Sequence, residues 1–423
     1  MIGKENFRQR NGKIALVTAL MLVCLIGIMA CAFDIGWIAM TKTQLHGSTD
    51  SSALAGGTEL LPGLGLLATS TPGEVDTAVR DQSVDFASRN RAGDASSVFI
   101  NRDRDVVLGT GYRNLTTGGW DFQWGVAPYN AVQVTGHRDQ GQNGQGDDSL
   151  RLFFAPILGQ NFSNISVLST AVILPGRGIR ISGGDPGSGP LMPFAFEELT
   201  WDKYKRAKTH FENVLGSDPS LINTSYLDED GITPLYFKEV TQGSNTSLAQ
   251  EFDDAYGYAE GSGVSIGADG LMEFNIFPIN QTPGNYGTVD VGSTDNSNAD
   301  IKRQILDGVN EDDLSYFDGE FTYPTDLNGD TGISAGMQNS LDQIIGDCRA
   351  VLLFDAVSDD AGNNTEFSIV DMIAVRLMFA NLSGNKKVIA MQPCHLSHGT
   401  IIPDWEETIG DDTTIFSPLI LAQ

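Results

Sequence analysis

The sequence predicts an α+β protein carried on a single N-terminal transmembrane helix that continues outward as a stalk. Three observations predict it. An apolar run of 20 residues, Ile14 to Phe33, holds one polar member, Thr18. The following segment, to Leu60, has no proline and is rich in Ser, Ala and Gly. Beyond it, helix-period segments alternate with short strand-like runs, divided by turns that account for much of the 48 glycines.

As a helix, the apolar run is about 30 Å long, the hydrocarbon thickness of a bilayer. Lys4, Arg8, Arg10 and Lys13 precede it and Asp34 follows it. The positive-inside rule therefore places a head of residues 1–13 in the cytoplasm, a span at 14–33 in the membrane, and the bulk of the chain outside the cytoplasm. Ala30-Cys31-Ala32 offers a signal-peptidase-like site, and Ile28 to Cys31 a loose lipobox, but the run is longer than such signals usually have. A prepilin signal would need Glu five residues after Gly12, where Val17 stands.

Residues 34–62 continue the helix as a stalk, with Trp37 at the interfacial position and Pro62-Gly63 as the stop. The outer half is surfaced by Ser48, Thr49, Ser51, Ser52, Ala53, Ala55, Gly56 and Gly57. Two readings follow. Ala53 and Gly56 let a partner helix approach closely, or they pack the stalk onto its own domain.

A membrane-proximal α+β module is expected at 63–182. It has a helix from Val75 to Arg91, strands at Ser97–Ile100, Asp105–Leu108, Ala131–Thr135 and Ser166–Leu174, and a short helix or turn at Leu152–Gly159. Gly183 to Gly189 reads as a linker. The distal region, 183–423, reads as antiparallel β with helices at Glu197–Val214, Ala299–Val309 and Gly336–Ile345. Its strand-like runs are Ser262–Gly270, Leu271–Pro278, Tyr286–Val291, Arg349–Phe354, Asp371–Phe379 and Lys387–Met391. Lys203, Lys205, Arg206 and Lys208 cluster on the first of those helices and read as a solvated face.

With 54 acidic against 26 basic residues, the net charge is −28. Such a chain repels a phosphate backbone, which excludes nucleic acid as a partner. Cys24 and Cys31 lie in the span; Cys348 and Cys394 lie outside it and suit one disulfide in an oxidising compartment. Their flanking strands, if paired antiparallel, would set them side by side.

Candidate chemistry is sparse. Gly263-Val264-Ser265-Ile266-Gly267 matches the nucleophile-elbow pattern, but turn-rich sequence surrounds it instead of a buried strand and a helix. Cys394, His395 and His398 could ligate a metal only with Cys348 as the fourth ligand, which the disulfide would consume. Asp326, Asn328 and Asp330 hold positions 1, 3 and 5 of a calcium loop, yet Thr331 replaces its glycine and Met337 its bidentate acid. No residue is assigned a catalytic role, and no cofactor or small-molecule substrate is implied.

Arg10 and Gly12, the span, Asp34-Ile35-Gly36, Gln44 and Asp50-Ser51-Ser52-Ala53-Leu54-Ala55-Gly56 together resemble the N-terminal region of TadE/TadG-like proteins of the Tad (Flp) pilus-assembly system. The likeness continues through Val132-Gln133-Val134, the phenylalanine-rich Leu152–Gly159 and Ser169-Thr170-Ala171. Longer strings, DGLMEFNIFP, GNYGTVDVG, KRQILDGV and IIGDCRAVLLFD, look like TadG-like proteins of planctomycete-type bacteria. The resemblance implies a non-enzymatic, membrane-anchored assembly or structural subunit of a Tad pilus or related secretion apparatus, with other Tad components and the membrane as partners. The alternative is a calcium-assisted surface binding or adhesion module. No D-x-S-x-S sequence occurs, so the metal-dependent adhesion motif of some TadG relatives has no counterpart.

Overall fold

A computed structural model describes residues 11–141, 144–181, 187–198, 201–202, 204–205, 264–266, 272–277, 288–292, 298–330, 334–357, 366–382 and 388–422. The basic head Lys4-Arg8-Arg10 and three of the four basic residues at 203–208 lie outside these.

Helix α1 (Asn11–Thr58) is continuous, as the unbroken pattern predicts. It ends in a single 3-10 turn, Leu61–Gly63, in which Pro62 donates no hydrogen bond. Its apolar half is exposed along its length, with Leu16, Leu20, Val23, Ile28 and Phe33 open. The outer half is not a free stalk. Thr41, Leu45, Ser48, Thr49, Ser52 and Ala53 are buried, a stripe at helical spacing that packs into the proximal module as its core helix. Helix α2 (Pro72–Ser88) lies beside it. The Thr71 hydroxyl accepts the Glu74 N–H, and the Glu74 carboxylate accepts the Thr71 N–H. That capping box starts the helix three residues before Val75.

The two helices cover one face of an antiparallel sheet ordered β2-β1-β3-β6-β20. Its strands are β1 (Val106–Arg113), β2 (Trp120–Trp124), β3 (Ala131–Arg138), β6 (Ile165–Val172) and β20 (Ile420–Ala422). Alternate residues Val106, Leu108, Val132, Val134, Ile165 and Val167 meet Leu45, Ala53 and Val79 in one core. Gly136 permits that approach, because a Cβ there would stand 2.6 Å from Thr49 Cγ2. The sheet is not closed by residues 63–182 alone, since β20 returns from the far end of the chain to pair with β6. Ser97–Ile100, expected as a strand, is irregular, although Val98 and Ile100 are buried. A two-stranded ribbon, β4 (Leu150–Arg151) and β5 (Phe162–Ser163), holds the base of the Leu152–Gly159 loop.

The distal region is built on an eight-stranded sheet: β8 (Leu191–Glu197), β9 (Val264–Ile266), β10 (Met272–Phe277), β11 (Thr288–Val289), β13 (Thr325–Asp330), β14 (Cys348–Val357), β15 (Glu366–Asn381) and β16 (Val388–Pro393). The 16-residue β15 is its spine, pairing with β13, β14 and β16. Alternation sorts β14 cleanly. Val351 and Leu353 face a layer that includes Ile301, Ile305 and Leu341 from helices Asn298–Asp307 and Gln338–Gln343. Ala350, Leu352 and Phe354 face Ile179, Phe321 and Ile401 of a three-stranded sheet. That sheet comprises β7 (Gly176–Arg180), β12 (Glu320–Thr322) and β18 (Ile401–Pro403).

The expected all-antiparallel pattern needs correcting in two places. β8 runs parallel to β14, and β17 (Leu396–Ser397) runs parallel to β19 (Ile415–Phe416). β8 is buried on both faces from Leu191 to Phe196, so its sequence shows an apolar block and no alternation.

Candidate functional site

Among the described residues, specific side-chain chemistry gathers at the junction where α1 leaves its exposed apolar half and enters the proximal module. Asp34, the first charged residue after the apolar run, is only 4% exposed. Its carboxylate accepts three backbone N–H groups: Phe153 at 2.9 Å and Phe154 at 3.3 Å on Oδ1, and Phe154 at 3.0 Å and Ala155 at 2.7 Å on Oδ2. These donors open the 3-10 turn Ala155–Leu158, whose fixed start is helped by Pro156. Burial pushes the Asp34 pKa up, and the N–H donors outweigh it, so the carboxyl rests below the ordinary aspartate value.

Aromatic contacts reinforce the joint. The Phe33 ring meets Phe153 and Phe154 edge-on, with centroids 5.3 and 5.6 Å apart, and Trp37 meets Phe153 at 5.4 Å. The Trp37 indole N–H donates to the Arg151 carbonyl at 3.3 Å.

Farther along α1, polar side chains take the same role. Gln44 Oε1 accepts the Gly93 N–H at 2.8 Å. Asp50 accepts the Ser169 hydroxyl at 2.6 Å and lies 3.1 Å from His46 Nδ1, while Thr49 and Ser169 share a hydrogen bond at 2.8 Å. Ser51 Oγ accepts from Asn90 Nδ2 at 3.3 Å. Apart from the His46–Asp50 contact within α1, these bonds tie the helix to two places in the module, the Asn90–Gly93 segment and Ser169 of β6. The arrangement fixes a direction for the helix. It brings together no nucleophile, base and oxyanion donor.

Residues 12–59 match the family model described as putative Flp pilus-assembly TadE/G-like, and residues 67–171 match that described as putative Tad-like Flp pilus-assembly. These two segments are what the chain shares in sequence with Tad (Flp) pilus-assembly families. No curated protein and no solved structure matches it. The gap between the two Tad segments holds only the 3-10 turn and the lead into α2, and the hydrogen bonds from Gln44, Thr49 and Asp50 cross it. The first segment thus packs as part of the second.

Ala53 and Gly56 belong to that packing. Ala53 is fully buried, and a Cβ on Gly56 would collide with Ser83 Oγ and stand 3.1 Å from the Val79 carbonyl. Of the two readings of these positions, the geometry matches packing of the helix onto its own domain, with α2 of the same chain against Gly56.

Cys348 and Cys394 form a disulfide, with Cα atoms 6.1 Å apart. The expected pairing of their strands is not how they meet. β14 and β16 both pair with β15, at Cys348↔Arg376 and Arg376↔Gln392, and the bond is made just beyond the end of β16. The neighbouring His395 ring packs edge-on against Phe416, and burial pushes its pKa down. His398 Nδ1 lies 2.9 Å from the Thr400 hydroxyl. No cluster of three His, Cys, Asp or Glu side chains suited to a metal occurs among the described residues.

Asp326, Asn328 and Asp330 lie on β13, where a loop was expected. Asp326 and Asn328 are exposed on one face and Leu327 is buried on the other. Alternate residues on a strand are about 7 Å apart along its axis, whereas a calcium loop wraps its ligands around one ion. Ser265 lies within β9, paired with Glu273 of β10.

Sequence reasoning found Asp34, Trp37 and the Gln44-to-Gly56 stretch without their partners. The signal available was chemical: a carboxylate one residue past an apolar run needs donors, and a Phe-Phe-Ala-Pro segment offers three consecutive N–H groups before a proline.

Proposed function

We propose that this chain is a non-enzymatic subunit of a Tad (Flp) pilus-assembly apparatus, anchored in the cytoplasmic membrane by residues 14–33 with the rest outside. The observation that carries it is the junction itself. The two Tad segments share one core, and Asp34 sits at the boundary between an exposed apolar half-helix and a half-helix sunk in a folded module. α1 is the one described helix long and apolar enough to cross a membrane. A device of this shape transmits position: whatever the distal region holds is kept at a set height and angle above the bilayer.

The basic residues before the span and Asp34 after it support the outward orientation. The partners on this reading are other Tad components. Deletion of the gene tests the role: cells lacking it should lose surface pili, and the wild-type gene should restore them. Normal pili in the deletion strain would remove the protein from pilus assembly. A periplasm-dependent reporter fused after Gln423 tests orientation, and an inactive reporter in cells that make the full-length fusion would reverse it.

A further inference from the structure

Beside the span, the Leu152–Gly159 loop forms an apolar projection that neither the junction chemistry nor the pilus role requires. Ile157 is 83% exposed and Leu158 79%, and the Phe153 and Phe154 rings are open as well. The Asp34 bonds and the Phe33 and Trp37 rings fix this loop against α1. Together, loop and helix enclose an almost wholly apolar recess of about 290 Å³, lined by Gly27, Ala30 and Cys31 on one side and Ile157 and Leu158 on the other.

The level of this recess is informative. Gly27 precedes Phe33 by six residues, so at 1.5 Å per residue it lies about 9 Å deeper into the span. The loop tip therefore points toward the membrane from the outer side, and its apolar surface is continuous with that of the exposed half-helix. In water, four adjacent exposed large side chains would be costly. In the bilayer they are favourable.

The backbone is equipped for that setting, where unpaired polar groups are penalised. The Leu152 N–H donates to the Asn161 carbonyl, those of Phe153, Phe154 and Ala155 to Asp34, and that of Ile157 to Phe154. Pro156 has none, and the Gly159 and Gln160 N–H groups turn back to Pro156 and Ala155.

We propose that Leu152–Gly159 is a second membrane contact: Phe153, Phe154, Ile157 and Leu158 insert into the outer leaflet beside the span, and a lipid acyl chain fills the recess against Gly27, Ala30 and Cys31. The proposal rests on the anchoring reading above. Two contacts instead of one stop the module from swivelling about its own helix, so the lipid surface orients it as well as holding it.

The test uses the full-length protein in phosphatidylcholine liposomes, in a Cys24→Ser, Cys31→Ser background that leaves the disulfide untouched. Single cysteines at Leu158→Cys, Ile26→Cys and Leu115→Cys carry an environment-sensitive fluorophore, read with and without lipids spin-labelled near the head of the acyl chain. Leu115 lies exposed in the β1–β2 turn and serves as the aqueous reference. The Leu158 probe should shift to the blue and lose most of its emission to the spin label, the Ile26 probe should also be quenched, and the Leu115 probe should do neither. Quenching at Ile26 without quenching at Leu158 would leave the anchor standing and overturn the loop insertion. Absence of quenching at both would overturn the anchor and the insertion together. A blue shift at Leu158 without quenching would mean that protein, such as a second copy, covers the loop, and would overturn lipid as its occupant.

Discussion

Gly56 on α1 and Ser83 on α2 are in such close apposition that a methyl group on the glycine would overlap the serine hydroxyl. Both residues sit in the interior of the proximal module, with Val79 and Ala53 around them. The small side chains of the Asp50–Gly56 stretch are thus set by the fit of one helix of this chain against another.

A bulky residue at either position should therefore damage the fold itself. Gly56→Leu and Ala53→Leu are expected to lose about 3 kcal/mol or more, the upper range for overpacking a filled core. Gly56→Ala should be rescued in part by Ser83→Gly, which removes the overlapping oxygen, in a double-mutant cycle followed by denaturant unfolding. Full stability in Gly56→Leu would refute the packing account and return this surface to an outside partner.

Asp34→Ala should free three N–H groups at once, and Asn should restore only part of their acceptor. Hydrogen exchange at Phe153, Phe154 and Ala155 is the readout, and protection should fall in the order Asp, Asn, Ala. The carboxyl titrates below the ordinary aspartate range in the fold. A depressed acid contributes above its unfolded pKa and loses that contribution as pH falls through the folded value, so protection should hold at neutral pH and fail only in strong acid. Unchanged exchange in the Ala variant would dismiss Asp34 as the cap.

Asp371 gives a pH dependence of the opposite sign. Burial lifts its pKa from 3.8 to about 6, assisted by Asp412 and Glu407 and opposed by hydrogen bonds from the Met372 N–H and the Tyr323 hydroxyl. A raised acid favours the fold while protonated, so this contribution is full below pH 3.8 and is lost as pH rises to about 6. The loss amounts to no more than about 3 kcal/mol. Asp371→Asn should raise the urea midpoint at pH 8 and have little effect at pH 4. Equal effects at both would contradict the burial argument.

The Cys348–Cys394 bond closes a loop with a sequence separation of 46. In the chain-entropy model such a crosslink stabilises by about 4 kcal/mol, an upper figure. Cys394→Ser should lower the melting temperature of the oxidised protein and leave that of the reduced protein nearly unchanged. Mass spectrometry that finds both thiols free in protein isolated without reductant would remove the bond from the account.

What was legible in the sequence follows from the range of the interactions involved. Helix α1 and helix α2 were readable because a span, a proline stop and a 3.6-residue period are local signals. β1, β3, β6 and β14 announced themselves through runs of Val, Ile and Leu. β8 did not, because a strand buried on both faces has no alternation to detect. Thr325–Asp330 resembled an acidic loop because Asp, Asn and Gly are turn formers, and only pairing with Glu366–Ile369 makes it a strand. The candidate site was half visible. The residues on α1 stood out by composition, while their partners at Gly93, Phe153–Ala155 and Ser169 are scattered along the chain and meet it only through the fold.

β20 bears on the order in which the protein is made and, on the orientation proposed above, exported. Strand β6 offers one edge to β3 and the other to β20, and the Leu174 N–H is held by Ser417 across a separation of 243 residues. A chain that emerges from its N-terminus outward must leave that edge bare while the whole distal region follows. An unpaired edge invites pairing with other chains. On the orientation proposed above, this module is the first to reach the far side and among the last to be finished, so its completion reports that everything between has already passed through.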